Sequence, residues 1–193
     1  MPTDAAYLKL RKTMKKKILA ICAALTFIQA VPANAHVGAI SYGNTLVAGQ
    51  SSRIFLSLGH GCTYKNAKYG TSVFQVEVPA VAGKPTPAYV PGFKVTNIAS
   101  KEVLANGAPK SYLVTWTALA KSKVVPDGTF YDFGLKVKWD VNPQTIYFPV
   151  TQTCFAADKT PLHLVWNITD GSTKAATADT EFGPAPSVTT TKA

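Results

Sequence analysis

One histidine stands where export would make it the first residue of the finished protein. Ala33-Asn34-Ala35 immediately precedes His36, and upstream lie the basic Met14-Lys15-Lys16-Lys17 and an almost wholly apolar stretch over residues 18–28. Basic start, apolar middle and small residues at −3 and −1 are the order of a secretory signal peptide. Cleavage after Ala35 frees an α-amine on the residue that carries the imidazole. The amine nitrogen and Nδ1 of one N-terminal histidine can close a six-membered chelate ring on a metal, which an internal histidine cannot do. Neutral imidazole and deprotonated amine suit Cu(II) by ligand preference and by the affinity order of divalent metals. A free α-amine has a reference pKa of about 8, so protons compete for the site and affinity should fall on acidification.

The remaining chemistry is sparse. The other two histidines are His60, in Gly59-His60-Gly61-Cys62, and His163, which follows Pro161-Leu162. His60 reads first as a turn histidine between glycines, and His163 as an ordinary surface residue. Cys62 and Cys154 are the cysteines left after export, and an even pair in an exported chain reads as a disulfide. A dithiol copper or redox site is the weaker reading, because no C-x-x-C occurs. The acids form no motif, and G-x-S-x-G, H-E-x-x-H and a phosphate-binding glycine loop are all missing. Glu77 alternates with apolar residues as a solvent-facing strand residue, and Asp132 reads as a turn or strand-end residue. No enzyme site assembles from these residues.

These groups have to be positioned by a single domain. Of the 193 residues, 35 belong to the expected signal peptide, with Met14 as the alternative start, and 158 remain. That length suits one domain with a real core. The apolar run is shorter than the roughly 20 residues a transmembrane helix needs, so the finished chain should carry no membrane span. Cys22 lacks the small residue before it that a lipobox requires. Residues 1–35 hold six of the 20 basic residues and one of the 10 acids, so 14 basic and nine acidic residues remain, a net +5. The basic residues are scattered, without the clustering and aromatic platform of a nucleic-acid surface, which argues against that partner.

Period-two alternation dominates the chain and helical periodicity is missing. It runs through Phe74-Gln75-Val76-Glu77-Val78, through Phe133, Leu135, Val137 and Trp139, through Ile146, Phe148 and Val150, and through Leu164, Trp166 and Ile168. Residues 54–58 and 112–117 are further candidates. Pro91-Gly92, Asn106-Gly107, Asp127-Gly128 and Asp170-Gly171 mark turns. About seven short strands so spaced predict a β-sandwich. Residues 80–91, with three prolines, should be a loop or edge segment. Residues 183–193, rich in Pro, Ser and Thr, read as a loose tail. Core packing is the default for Trp116, Trp139 and Trp166.

Several separated motifs also occur in a recognisable order: Ala35-His36-Val37, His60-Gly61-Cys62, Val76-Glu77-Val78-Pro79, Pro91-Gly92-Phe93, Val114-Thr115-Trp116, Pro126-Asp127-Gly128, Tyr131-Asp132-Phe133-Gly134, and Tyr147-Phe148-Pro149-Val150-Thr151-Gln152-Thr153-Cys154. The set resembles the YcnI-like family of exported copper-binding domains over most of residues 36–182. The resemblance implies a β-sandwich of cupredoxin or immunoglobulin type. It also implies Cu(II) held by the N-terminal histidine in a monohistidine brace, with a carboxylate as a further ligand and a tryptophan close to the metal. His36 matches the first role and Trp116 the last. Thr63 stands where relatives often carry an acid, so the replacement candidate is His60, with solvent or Glu77 behind it.

The expectation is therefore a periplasmic or secreted protein that binds Cu(II) without turnover, in copper acquisition, trafficking or homeostasis. Its partners would be the copper ion and a copper-delivery or copper-import protein. Two alternatives stand beside it. One is a copper oxidase resembling the polysaccharide monooxygenases, which would need His60 or His163 beside His36. The other is a structural secreted sandwich, indifferent to copper.

Overall fold

A computed structural model describes residues 37–170 and 182–193; the expected signal segment and His36 lie outside them. Along the chain run β1 (Gly38–Ile40), β2 (Ser51–Leu58), β3 (Cys62–Tyr64), β4 (Ala67–Tyr69), β5 (Thr71–Pro79), β6 (Thr86–Pro87) and β7 (Phe93–Ala99). Then follow β8 (Ser111–Ala118), β9 (Tyr131–Lys138), β10 (Thr145–Tyr147), β11 (Val150–Phe155), β12 (Pro161–Ile168), β13 (Phe182–Pro184) and β14 (Ser187–Thr189). Two short 3₁₀ turns, Ala80–Ala82 and Lys121–Lys123, are the only helical pieces among the described residues. None of the described helices is long and apolar enough to cross a membrane.

The strands form a β-sandwich, as the alternation predicts. One sheet has the order β1-β2-β9-β6 and the other β13-β12-β11-β5-β8-β7; β3-β4 and β10-β14 are separate ribbons. The inward residues make the core. Ile54, Leu56 and Leu58 of β2 and Phe133, Leu135 and Val137 of β9 are buried, as are Phe74, Val76 and Val78 of β5 and Val114 and Trp116 of β8. Phe133 joins the two layers. Its ring stacks on Phe74 at a centroid distance of 4.2 Å and meets Trp116 at 5.2 Å. Such pairs contribute about 0.5–1.5 kcal/mol each beyond their burial.

The structure departs from the sequence expectations in two places. Ile146, Phe148 and Val150 do not share one strand. The Phe148 amide donates to the Pro186 carbonyl at 2.8 Å, so β10 pairs with β14 while β11 starts afresh between β5 and β12. Residues 183–193 are not a loose tail. Here β13 runs parallel to β12, β14 pairs with β10, and Ala185, Val188 and Thr190 are buried. The prolines there end ladders without freeing the chain. The proline-rich 80–91 segment does supply an edge, the two-residue β6 against β9.

Candidate functional site

The H-G-C segment leaves the end of β2 and is fastened on three sides. Cys62 and Cys154 form the expected disulfide, with Cα atoms 6.0 Å apart, tying the segment to β11. Gln152, wholly buried on β11, donates from Nε2 to the His60 carbonyl at 2.8 Å and to Thr71 Oγ1 at 2.6 Å. The Gly61 amide donates to Asp127 Oδ1 at 3.0 Å, and the other Asp127 oxygen faces Lys68 Nζ at 3.4 Å. Position 61 admits no side chain, because a Cβ there would lie 2.0 Å from the Tyr69 carbonyl oxygen. Gly61 is thus required by the close approach of β4.

This anchoring fixes the backbone around His60 while its ring stays half-exposed. His60 Nδ1 lies against the Gly61 carbonyl oxygen. With Nδ1–H donated there, Nε2 is the unprotonated nitrogen, the tautomer that metal-binding histidines adopt. The turn-histidine reading and the ligand reading are therefore compatible in one residue.

Beside this loop, β1 pairs with β2 and β2 with β9, giving a row of Gly38, Ser57 and Asp132 on the outer face. The inward Val37, the first described residue, is buried. Covalent connectivity keeps the Cα of residue 36 about 3.8 Å from that of Val37. Asp132 is the residue that the sequence passed over. Its Oδ2 accepts from the Tyr42 hydroxyl, whereas Oδ1 is buried with no hydrogen-bond partner among the described residues. An ionised carboxylate oxygen left so is costly unless a cation or donor completes it. The Tyr42 phenol has its pKa raised, first by its hydrogen bond to Asp132, then by desolvation and the Asp132 charge. The signal in the sequence was the one acid among the outward positions of β9, but alternation alone does not tell which outward residues share a row.

The other expected residues fall elsewhere. Trp116 is fully buried on β8, and its Nε1 donates to the Ala88 carbonyl at 3.0 Å, so its indole packs the core. His163 Nδ1 contacts Thr153 Oγ1 at 3.0 Å on the six-stranded sheet. Glu77 is exposed on that same sheet, opposite Leu113. Among the described residues no three His, Cys, Asp or Glu side chains cluster closely enough to hold a metal. The donors that do fit Cu(II) are hard oxygen and imidazole nitrogen at the H-G-C end of β2, and they would need a further chelating residue.

Comparison with known proteins gives the fold a context. The family model described as a domain of unknown function, DUF1775, matches residues 36–189, and YcnI-like proteins belong to that family. A crystal structure of an uncharacterized protein from Nocardia farcinica, reported to have an immunoglobulin-like fold, superposes with a TM-score of 0.55 at 22% identity. It covers 81% of this chain and 99% of that one. Domains D2 and D3 of the major pilin SpaD from Corynebacterium diphtheriae match at TM-score 0.36 and 12% identity, over 68% of this chain and 50% of that one. No curated protein matches the chain.

Proposed function

The chain belongs to the DUF1775 family, and on that premise we propose that it is an exported Cu(II)-binding protein whose site is completed by His36 after cleavage behind Ala35. The observation that carries this reading is the partnerless Oδ1 of Asp132, in the same row as Gly38, two residues from position 36. The family match also starts at residue 36, the residue that cleavage would expose. In this reading the amine and imidazole of His36 chelate the ion, Asp132 supplies the carboxylate and His60 Nε2 is the further candidate. Thr63 then needs no acidic replacement, because the carboxylate comes from β9. Few ligands at a sheet end leave the ion open to exchange with a copper-delivery or copper-import partner, which suits acquisition or trafficking more than turnover.

The test is Cu(II) titration, followed by electron paramagnetic resonance, of four proteins: the processed chain, His36→Ala, Asp132→Asn, and a chain with one extra residue before His36. Loss of outer-shell partners alone costs about 10–100-fold in metal affinity. Removing the chelate should therefore weaken binding by more than about 100-fold. Asp132→Asn should change the spectrum as well as the affinity, and all affinities should fall as pH drops below the amine pKa near 8. Equal binding by the processed and extended chains would overturn the chelate.

A further inference from the structure

A second feature lies on the outer face of the four-stranded sheet, next along β2 and β9 from the Ser57–Asp132 pair. A groove of about 320 Å³ opens there between β2, β9 and the β6 edge. Its apolar floor and walls are Phe55, Pro87, Ala88 and Gly134, and its cations are Arg53 and Lys136. That volume is at the small end of ligand pockets, which run from roughly 300 to 1,000 Å³.

Three observations point to an occupant. First, Arg53 and Lys136 are directly opposed across β2 and β9. Like charges in that position destabilise a sheet. Yet the ion pairs among the described residues are Lys68–Asp127 and Lys110–Glu102, so neither cation is neutralised by an acid there. An anion seated between them would remove the repulsion.

Second, the apolar half is packed down on a glycine. Gly134 opposes Phe55 on this face, and a Cβ at 134 would come within 3.1 Å of Ala88 Cβ and 3.2 Å of Phe55 Cε1. A side chain there would push the Phe55 ring or the Ala88 wall aside and so reshape the groove.

Third, the wall is fixed in advance. The Ala88 amide donates to the Gly134 carbonyl at 2.8 Å, while the Ala88 carbonyl accepts from Trp116 Nε1 at 3.0 Å. Both backbone groups of Ala88 are held, one by the sheet and one by the core. Tyr42 meets the Phe55 ring edge-on at 5.1 Å. A preformed groove costs little ordering when a ligand enters.

We propose that this groove binds a small organic carboxylate with a flat apolar body, its carboxylate between Arg53 and Lys136 and its body against Phe55 and Pro87. The planar guanidinium suits a carboxylate through paired N–H donors. The small volume and a single pair of cations fit a small molecule better than an extended acidic surface.

The experiment is amide-resonance titration of the processed chain with phenylacetate, beside uncharged phenylacetamide and bare acetate. Saturable shifts should centre on Phe55, Ala88 and Gly134, and both controls should bind at least about tenfold more weakly, the size of one charge-assisted hydrogen bond. Arg53→Gln with Lys136→Gln, both exposed positions, should lose at least that factor with the spectrum otherwise retained. Gly134→Ala should weaken phenylacetate while leaving the cations in place. Should Gly134→Ala fail to fold, the charge variant alone decides the matter. The same titration on His36→Ala should be unchanged, so failure of the copper reading and failure of this one are separable. Phenylacetate shifts that never saturate, that phenylacetamide or acetate matches, or that survive the charge variant would overturn the proposal.

Discussion

Reducing the Cys62–Cys154 disulfide should be the largest reversible perturbation of stability open to this protein. The bridge joins residues 92 apart in sequence. Constraint of the unfolded chain by a loop of that length corresponds to roughly 4.6 kcal/mol at 25 °C in the chain-entropy treatment. For a domain of this size, each kcal/mol moves the midpoint by about 2–4 °C, so the reduced protein should melt roughly 9–18 °C lower. Both cysteines are buried, so replacing them would add a packing loss to the effect. The clean comparison is therefore the same chain, oxidised and reduced, unfolded in urea and by heat. Because the constraint acts on the unfolded ensemble, the urea m-value should rise on reduction while the native spectrum changes little. The H-G-C segment should stay in place, held by Gln152 and Asp127. A stability difference below about 1 kcal/mol, or collapse of the native spectrum on reduction, would refute this reasoning.

Gly61→Ala should cost about 3 kcal/mol or more, since its Cβ would meet the Tyr69 carbonyl oxygen at 2.0 Å and backbone must move; urea unfolding measures it, and a loss under 1 kcal/mol would contradict the close approach. The same variant should also disturb the His60 resonances. Asp132→Asn should lower the Tyr42 phenol pKa toward its ordinary value of 10.0, because the neutral phenol loses its carboxylate acceptor and the adjacent charge that opposes ionisation. Ultraviolet-monitored titration would detect Tyr42 moving down, together with Tyr131, whose pKa is raised first by burial and then by the Asp132 charge, and an unchanged curve would deny the contact.

Strands with a strict two-residue alternation were legible in the sequence: β5, β8, β9 and β12 follow directly from which residues must face a core. Edge and ribbon strands were not. β1 is three residues long and β6 two, too short for any period, and the β3–β4 hairpin turns at Lys65 and Asn66 with positive φ in place of glycine. The 182–193 segment shows the limit in another way. Its prolines resemble a tail, yet Val188 and Ala185 are drawn inward by strands far upstream. Site residues divide similarly. The proposed His36 chelate rests on covalent chemistry and position alone, whereas the disulfide was legible in the cysteine count of a chain read as exported. Asp132 and Ser57 are neighbours only through a register spanning 75 positions of chain, which alternation cannot encode.

That long register also governs the order in which the chain can acquire structure. β2 has its long partner in β9, and β5 lies between β8 and β11. A chain emerging N-terminus first, from ribosome or membrane channel, must therefore expose residues 51–58 well before residues 131–138 arrive to cover them. Topologies built on such distant pairings close slowly, because the loop entropy is spent before the contacts form. If the chain is exported as proposed, slow closure would keep it threadable for as long as the threading lasts.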